Sequence, residues 1–451
     1  MKDTDFLSNS NLDLEDGAKV RKEIMELTSQ YVENSHAKKS FIPGKSFIPV
    51  SGKVFGKKEV QMLVSSSLDF WLTTGRYNQE FEKQLGNFLG IKFAMTTNSG
   101  SSANLLALSS LTSDQLGERS LKPGDEVITV AAGFPTTVNP ILQNNLVPVF
   151  VDVKIPTYVI DENLIEENIT KKTKAIMIAH TLGNAFNIKK IVDIARKHNL
   201  WLIEDCCDAL GTTYDDKFVG TFGDISTLSF YPAHHITTGE GGAVLTNNLQ
   251  LKKIIESFRD WGRDCYCAPG QSNTCGKRFD WKLGYLPFGY DHKYTYSHVG
   301  YNLKITDMQA AIGLAQLDKL PEFIKKRKEN FQFLYEHLSS FEKYLLLPNS
   351  VENSDSSWFG FPITVRDDVS FSKESLINYL SQKLVDTRPV FAGNLIKQPY
   401  FKNKIFKTGK TLSNTDKIMN QSFWIGVFPG LSTEILEYVI KQFETFLMDN
   451  R

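Results

Sequence analysis

The sequence lacks the features that mark nucleic-acid-binding, membrane and secreted proteins. Its 51 Lys and Arg residues balance its 51 Asp and Glu residues, so no overall field favours nucleic acid or an anionic membrane. No apolar run reaches the roughly 18 to 20 residues that span a bilayer, and the polar N-terminus contains no apolar signal core. Fixed-period repeats and long low-complexity tracts are also absent. We therefore expect a cytoplasmic globular protein with no nucleic-acid or membrane partner, in which any anion is bound locally.

Cysteine is scarce, and its five copies lie in two clusters. Because cytosolic thiols stay reduced, such clustering favours metal or redox chemistry over disulfides. Cys207, Cys265, Cys267 and Cys275 are separated by 57, one and seven residues. Four thiolates can hold a 2Fe–2S cluster or a structural zinc ion. The spacing alone leaves both open, with free thiols as a third interpretation. Cys206 is predicted to point away from Cys207 on its strand, into the core.

Apolar runs alternate with helical segments between about residues 60 and 250. The predicted strands are Glu126–Val130, Val147–Val153, Ala175–His180 and Leu200–Asp205, and the intervening helices include Ser102–Leu111 and Ile188–Lys197. This alternation predicts an α/β fold with a mainly parallel sheet covered on both faces. Such sheets bind ligands at the carboxyl ends of their strands.

The chain is long enough for two ordinary domains. We predict an N-terminal helical extension and arm over residues 1–59, with a helix from Asp13 to Glu33. A large domain over residues 60–335 contains the sheet and a Cys-rich insertion at 255–300. A small C-terminal α/β domain follows over residues 336–451.

Two segments of the large domain contain groups suited to a phosphorylated aromatic cofactor. Gly100, Ser101 and Ser102 open a predicted helix, where close backbone approach and free N–H groups favour a phosphate. The alternative is a plain serine N-cap. Phe134 follows a predicted strand and could stack on a pyridine ring, or it could be an ordinary core residue.

A third segment provides acid groups at the end of a buried strand. In the run Glu204-Asp-Cys-Cys-Asp, Asp205 is the candidate to hold a pyridine nitrogen protonated, so that the ring acts as an electron sink. Asp208 is assigned to the same cofactor site. The alternative is an acidic strand end that meets solvent.

Two further motifs complete the pattern, namely the run from Ser229 to Gly242, which contains His234 and ends in Gly-Glu-Gly-Gly, and the run Gly300-Tyr-Asn. Together the five segments resemble the DegT/StrS-type sugar aminotransferase family of fold-type I pyridoxal-phosphate enzymes. The resemblance covers about residues 60 to 440 and implies an aspartate aminotransferase-like fold. It also implies that Ser229 binds the cofactor phosphate. Asn302 would reach the phosphate of a neighbouring subunit, which makes the protein a homodimer with shared sites.

The family's Schiff-base lysine corresponds to His234 in this sequence. An imidazole cannot form a stable imine, so we expect the cofactor to be pyridoxamine phosphate (PMP), which condenses with a ketone of the substrate. With an unperturbed pKa near 6.5, histidine can still transfer a proton at neutral pH. His235 is a second candidate, but His234 lies in the register of the family lysine, five residues after Ser229. A decayed aminotransferase is the alternative interpretation.

Within the family, residues 204–208, 229–236, 261–270 and 274–279 resemble 3-dehydrases of nucleotide-linked 4-keto-6-deoxyhexoses that carry a 2Fe–2S cluster on this cysteine spacing. That resemblance implies loss of the C3 hydroxyl of a CDP-linked sugar. Electrons would come from an NADH-dependent flavin/iron–sulfur reductase. The product would enter 3,6-dideoxyhexose synthesis for a cell-surface polysaccharide such as the O-antigen of lipopolysaccharide.

Three other functions remain open at this point. A PMP-dependent dehydrase that ends in deamination needs no external electrons, but such enzymes lack the cysteine set. An ordinary aminotransferase is opposed by His234. A non-catalytic relative could use zinc to hold the 255–300 loop as a protein-binding element. Candidate contacts to the nucleotide diphosphate are Arg263, Lys277, Arg278 and Arg388, each of which could also be a solvated surface charge. Gly75-Arg76 resembles a substrate-gating turn.

Overall fold

The computed structural model describes residues 15–36 and 40–450. The helices are α1 Glu15–Ser35, α2 Lys57–Asp69, α3 Arg76–Leu89, α4 Gly100–Ser110, α5 Pro135–Gln143, α6 Ile188–Lys197, α7 Leu249–Arg259, α8 Asp307–Leu317, α9 Leu320–Leu338, α10 Lys373–Gln382, α11 Ser413–Gln421 and α12 Thr433–Asp449. The strands are β1 Phe93–Thr97, β2 Glu126–Val130, β3 Val147–Val151, β4 Thr173–Ala179, β5 Trp201–Asp205, β6 Thr213–Tyr214, β7 Lys217–Phe218, β8 Ile225–Ser229, β9 Gly242–Thr246, β10 Leu345–Leu346, β11 Ser354–Asp355, β12 Gly360–Val365, β13 Arg388–Pro389, β14 Lys407–Thr408 and β15 Ser422–Gly426. Short 3-10 turns connect several of these elements.

The large sheet has the strand order β1-β9-β8-β5-β4-β2-β3-β14. Its centre is parallel, because β8, β5, β4, β2 and β3 all run the same way, and only β9 runs against its two neighbours. Every residue of β2, β5 and β8 is buried, as expected for the central strands of a sheet that is covered on both faces. The predicted parallel sheet is therefore confirmed.

The apolar side chains form a main core around the large sheet and a second cluster in the C-terminal part. In the second cluster, α9 and α12 cover the antiparallel sheet β10-β12-β15-β13. The sequence predicts a return to helix over residues 303–339. The structure divides this stretch into α8 and α9, with Pro in the first turn of α9, where its missing N–H costs no hydrogen bond. β14 lies late in the chain but pairs with β3 in the large sheet. The domain boundaries predicted from the sequence stay a prediction.

The N-terminal helix α1 packs on α2, where Arg21 donates to Asp69 (2.8 Å) and to the carbonyl oxygen of Ser65 (2.6 Å). The predicted helix began at Asp13, and Asp13 and Leu14 lie outside the described residues, as does most of the polar N-terminus. The arm that follows runs to the second cluster, where Ile48 forms a parallel bridge with Val385. Among the described helices, none is long and apolar enough to cross a membrane.

The Cys-rich segment leaves α7 at Arg259 and reaches α8 at Asp307 with only one 3-10 turn, His292–Tyr294. It is a long irregular loop, as its Gly, Cys, Tyr and Trp content predicts.

Candidate active site

The main cavity lies at the carboxyl ends of β1, β5 and β8 and has a volume of about 920 Å³. Eight of the predicted site residues line it, namely Gly100, Ser101, Phe134, Asp205, Cys207, Asp208, Ser229 and His234. They come from four separate segments of the chain, and the parallel sheet brings them together because its parallel strands end at this edge.

One end of the cavity is a cradle suited to a phosphate. Helix α4 begins there, and the side chain of its N-cap Ser99 accepts a hydrogen bond from the Ser102 N–H (3.0 Å). The first N–H groups of a helix have no partner inside the helix, and Gly100 and Ser101 of this first turn line the cavity. A Cβ atom on Gly100 would lie 2.5 Å from the Cβ of Ser229, so only glycine lets the end of β8 approach the helix this closely. Ser102 does not line the cavity; it holds the cap instead.

Asp205 is buried and held in one orientation. Its Oδ2 accepts hydrogen bonds from Asn104 (2.8 Å) and Thr137 (2.7 Å), and its Oδ1 accepts one from the Cys207 N–H (3.1 Å). Asn104 is itself fixed by a hydrogen bond from Thr227 Oγ1 to its amide oxygen (2.6 Å). A carboxylate presented in this way fits a protonated ring nitrogen. Asn104 and Thr137 are not among the site residues predicted from the sequence, although Asn104 lies one helical turn after Gly100.

His234 lines the cavity, while His235 is buried behind it and faces the carbonyl oxygen of Ser357 at 2.8 Å. Burial lowers the pKa of His234 to about 3, and the positive charge of Arg327 lowers it further. This value lies far below the unperturbed histidine pKa near 6.5. The imidazole is therefore neutral at physiological pH, which is the state that can accept a proton.

Two charged residues, Arg327 and Asp208, lie next to His234. Arg327 is 1% exposed and donates to the carbonyl oxygen of His234 (3.2 Å). Oδ1 of Asp208 lies 3.6 Å from Nδ1 of His234. Burial and the negative charge of Asp205 raise the pKa of Asp208 to about 8. No sequence motif indicates this contact, because Arg327 lies on α9, 93 residues after His234 in the chain.

The two adjacent cysteines have different surroundings. Cys206 is 1% exposed and belongs to the main core, which confirms the sequence prediction. Cys207 lines the cofactor-sized cavity, and burial together with Asp205 raises the pKa of its thiol well above the usual value. In the part of the chain that the structure describes, the one compact group of three potential metal ligands is His180, Glu204 and Cys206.

That compact group is a structural feature of the core. Glu204 is fully buried and accepts hydrogen bonds from the N–H groups of Gly220 (2.9 Å), Phe222 (3.0 Å) and Gly223 (2.6 Å). Its Oε2 also lies 3.1 Å from Nε2 of His180. These donors occupy the carboxylate oxygens and hold its pKa below the usual range, although burial acts in the opposite direction.

The cysteines of the 255–300 loop, Cys265, Cys267 and Cys275, do not line the main cavity. Cys265 and Cys267 line a second cavity of about 340 Å³, and Cys267 Sγ lies 3.0 Å from Thr274 Oγ1. Cys275 Sγ accepts a hydrogen bond from the Lys277 N–H (3.4 Å). The two cavities share no lining residue, so within one chain the four predicted cluster ligands are not gathered and do not fit a single four-thiolate site.

The residues predicted to contact the nucleotide diphosphate are divided between the two cavities and the surface. Arg388 lines the main cavity, and Arg263 lines the second one. Arg278 forms a two-point ion pair with Asp291 (2.7 and 2.6 Å), and Lys277 is exposed. The charge of Arg278 is therefore matched inside the loop, and the charge of Arg388 is matched by an ion pair with Asp386.

Asn302, which is predicted to contact a neighbouring subunit, lies outside the main cavity, and so does the predicted gating turn Gly75-Arg76. Asn302 is exposed and forms a β-bridge with Asp260. At the predicted gating turn, the N–H of Gly75 donates to Asp307 (2.8 Å), and Arg76 pairs with Asp69 (2.8 Å). The roles given to these residues stay predictions.

This combination of a mainly parallel sheet, a helix-start phosphate cradle, a buried strand-end aspartate and a facing basic residue defines a fold-type I pyridoxal-phosphate protein. The comparison with family models identifies the branch. Residues 54–444 match the DegT/DnrJ/EryC1/StrS aminotransferase family, and the chain belongs to this family.

Individual relatives are similar over nearly the whole chain. The lipopolysaccharide biosynthesis protein RfbH of Salmonella typhimurium is 64% identical over 95% of this chain and 98% of its own. The dTDP-4-dehydro-2,6-dideoxy-D-glucose 3-dehydratase of Saccharopolyspora spinosa is 50% identical over 90% of this chain and 88% of its own. Among solved structures, Escherichia coli GDP-4-keto-6-deoxy-D-mannose 3-dehydratase with bound hydrated PLP superimposes with a TM-score of 0.79. It is 28% identical and covers 88% of this chain and 99% of its own. These matches confirm the fold class predicted from the sequence.

Proposed function

We propose that this protein is a PMP-dependent 3-dehydrase of a nucleotide-linked 4-keto-6-deoxyhexose, of the CDP-4-keto-6-deoxyglucose 3-dehydrase type. It carries a 2Fe–2S cluster, receives electrons from an NADH-dependent flavin/iron–sulfur reductase, and acts in 3,6-dideoxyhexose synthesis for lipopolysaccharide O-antigen. A cytoplasmic homodimer is the form proposed.

The observation that carries this proposal is the histidine at position 234. His234 lines a cavity that otherwise has the parts of an aminotransferase site, including Asp205 and Ser229. A lysine there would tether the cofactor covalently, whereas a histidine leaves it free to work as the amine. The site is therefore built for a cofactor that binds through its phosphate and ring alone.

The donor set fits such a cofactor. The N-terminus of α4 and the Ser229 hydroxyl would bind its phosphate. Asp205, with its Oδ2 held by Asn104 and Thr137, would keep a proton on the ring nitrogen. The bound cofactor would supply an electron sink for the carbons next to it.

His234 would move the proton that this chemistry requires. Its neutral imidazole can accept a proton, and the anionic groups of the cofactor and the substrate would stabilise the imidazolium that results. The backbone of His234 is fixed by Arg327, so the ring keeps its place beside the cavity. Phe359, at 5.1 Å between ring centroids, covers one side of the imidazole and excludes water.

The relatives support the substrate class. One is a 3-dehydratase of a dTDP-linked keto-deoxysugar, and another is a lipopolysaccharide biosynthesis protein. The main cavity has a volume of about 920 Å³, and the exposed Arg388 at its wall, which pairs with Asp386, would have to exchange that partner to bind a diphosphate. The choice of CDP rests on the resemblance of the cysteine and histidine motifs.

The first experiment is anaerobic purification followed by metal analysis and a visible spectrum. A 2Fe–2S protein gives visible absorption bands and about two irons per chain. Bound zinc without colour would contradict the reductive dehydrase and favour a zinc-stabilised relative.

A second experiment tests His234 directly. We expect His234→Lys to attach the cofactor covalently, so that borohydride reduction traps it as a mass increase on residue 234, and to slow loss of the C3 hydroxyl. His235→Gln, which keeps a donor near Ser357, is the matched control. Unchanged dehydration by His234→Lys without covalent attachment would refute the assignment.

One observation favours a second candidate, a PMP-dependent dehydrase without external electrons. The solved structure named as a GDP-4-keto-6-deoxy-D-mannose 3-dehydratase shares this fold. The four cysteines of one chain are also separated here. Turnover by protein that contains no metal and receives no reductase would identify this alternative.

A further inference from the structure

Helix α9 has one charged residue on the face that it buries. The buried residues follow helical spacing and are otherwise mainly apolar: Leu320, Phe323, Arg327, Asn330, Phe331, Leu334 and Leu338. Arg327 is 1% exposed and is among the largest fully buried side chains in the described part of the chain. Burial lowers the pKa of Arg327 to about 9, so its guanidinium is still charged at neutral pH.

Among the described residues, this guanidinium donates to backbone carbonyl oxygens and not to a carboxylate. Nη2 lies 3.2 Å from the carbonyl oxygen of His234, and Nη1 lies 3.2 Å from those of Trp358 and Phe359. Nε is buried and has no hydrogen-bond partner within residues 15–36 and 40–450. A buried cation without a carboxylate has a desolvation cost that an apolar side chain of similar volume avoids. Stability therefore does not explain the arginine, whereas the link between two backbone segments does.

The second of these segments, Trp358–Phe359, contacts the imidazole of His234. The ring centroids of Phe359 and His234 are 5.1 Å apart, and both residues line the main cavity. Trp358 stacks on Phe331 (4.2 Å), which lies one helical turn after Arg327 on α9. Helix α9 thus fixes Trp358 through both its ring and its carbonyl group, and this fixes the place of Phe359 beside the histidine.

The same segment is also connected to Asp208, the acidic neighbour of His234. The N–H of Phe359 donates to the carbonyl oxygen of Leu182 (2.8 Å), and the N–H of Leu182 donates to Oδ2 of Asp208 (3.2 Å). Leu182 has a φ of 54°, a left-handed conformation that is unfavourable for a leucine. Oδ1 of Asp208 in turn lies 3.6 Å from Nδ1 of His234. Arg327, Phe359, Leu182 and Asp208 therefore form a closed ring of contacts that begins and ends at His234.

We infer that Arg327 is a positioning residue for the proton transfer assigned to His234. Its guanidinium ties the carbonyl group of His234 to the segment that contains Phe359, and so holds the imidazole beside Phe359 and Asp208 at the main cavity. Arg327 does not line that cavity, so it acts through His234 and does not touch a bound cofactor or substrate. The inference rests on the proposed function only for the role of His234.

Two substitutions separate the shape of the guanidinium from its charge. The planar guanidinium presents its donors in a rigid fork, whereas a lysine ammonium is a compact charge on a flexible stem. Arg327→Lys therefore keeps the cation but loses the fork that reaches two segments. Arg327→Met removes both the charge and the donors. If Arg327→Met does not fold, Arg327→Lys is used for every comparison.

The first measurement uses the apo-protein and needs no cofactor. Backbone hydrogen–deuterium exchange is followed by mass spectrometry in wild type and in both variants. We expect faster exchange in peptides that cover residues 231–238 and 356–361, because both variants lose the link between these segments. Wild-type exchange rates in these peptides would overturn the inference. Wild-type rates in Arg327→Lys alone would assign the effect to the charge and overturn the role of the fork.

The second measurement asks whether residue 234 keeps its position relative to the cofactor. In the His234→Lys background, the introduced amine and the aldehyde of added pyridoxal phosphate form a C=N bond with loss of one water, and borohydride traps the product. At saturating pyridoxal phosphate, we expect the addition of Arg327→Lys to slow attachment by about 10- to 100-fold, since a displacement of about 1 Å can cost about 100-fold in rate. A merely structural role would lower the urea midpoint and leave this saturated rate unchanged, and that result would overturn the inference.

Asn330→Ala is the matched control. Asn330 lies on the same buried face of α9, but its Nδ2 donates to the carbonyl oxygens of Val427 (3.2 Å) and Phe428 (3.1 Å). We expect this variant to lose stability and to keep both the attachment rate and the exchange of peptide 231–238. If it slows attachment as much as Arg327→Lys does, general loosening of α9 is the cause and the inference is wrong.

Failure of the proposed function would give a different result. If His234→Lys attaches no pyridoxal phosphate while Arg327 is intact, the cofactor assignment is wrong, and the exchange measurement decides whether Arg327 links the two segments. If attachment occurs but wild type removes no C3 hydroxyl from a nucleotide-linked 4-keto-6-deoxyhexose, the proposed reaction is wrong. The attachment rate then still decides whether Arg327 positions residue 234.

Discussion

The sharpest structural prediction concerns the contact between helix α4 and strand β8. A Cβ on Gly100 would lie 2.5 Å from the Cβ, 2.8 Å from the Oγ and 3.1 Å from the Cα of Ser229. The hydroxyl of Ser229 can rotate away but its Cβ and Cα cannot, so Gly100→Ala must push the helix start from the strand end. Overpacking of this kind costs about 1–3 kcal/mol, while the gain in helix propensity is at most about 1 kcal/mol.

The same displacement widens the phosphate cradle, since Ser229 and the first N–H groups of α4 are its two walls. If the steric cost of about 1–3 kcal/mol is expressed in cofactor binding, the PMP dissociation constant rises by roughly 5- to 150-fold. The assays are a fluorescence or absorbance titration with PMP and a urea unfolding curve of the apo-protein.

Gly133→Ala is the matched control for this prediction. Gly133 lines the same cavity, but a Cβ there would meet only Val130 Cγ2, at an ordinary 3.9 Å. We expect PMP affinity and stability close to those of wild type. If Gly100→Ala also binds PMP with wild-type affinity and unfolds at the same urea concentration, the close approach of α4 and β8 is not what shapes the cradle.

Two further substitutions test the hydrogen bonds of single carboxylates. Thr137→Val removes one hydrogen bond to Asp205, which should weaken PMP binding by roughly 5-fold, equivalent to about 1 kcal/mol. Thr137→Ser keeps the hydroxyl and should bind PMP like wild type. Equal losses of PMP affinity in the two variants would exclude the hydroxyl as the cause. Glu126 is buried, which raises its pKa, but hydrogen bonds from Lys407 (2.5 Å) and Thr170 (2.7 Å) outweigh burial and lower the pKa overall. Its contribution to stability is therefore present above the unfolded-state pKa and is lost as pH falls through the folded-state pKa. Glu126→Gln should lower the free energy of unfolding by about 1–3 kcal/mol at pH 7 and by less at pH 3 to 4 in urea unfolding, and a difference independent of pH would contradict this.

Much of the fold could be predicted because its determinants are local. The strand Glu126–Val130 and the helix Ile188–Lys197 have the bounds predicted from their apolar patterns, since burial on both faces and an amphipathic stripe are properties of contiguous residues. The break between α8 and α9 was missed, because the apolar pattern continues across Asp318 and Lys319.

The environment of the site residues could not be read in the same way. His234 lines the main cavity, but sequence alone indicates only the unperturbed pKa of its side chain. Its low value depends on burial and on Arg327, which comes from a distant helix. The supports of Asp205 likewise come from positions 101 and 68 residues away in the chain.

The sequence by itself determined which chemical groups are present and in what order: a histidine in place of lysine, a strand-end aspartate, a glycine–serine helix start and four spaced cysteines. These are covalent facts that need no packing to be recognised. Only the tertiary structure decided which of them meet. The parallel sheet gathers Gly100, Asp205, Ser229 and His234 at one edge because its strands end together there. The tertiary structure also places Cys207 and Cys265 on two cavities that share no lining residue, since contacts between distant segments fix positions that no sequence spacing can specify.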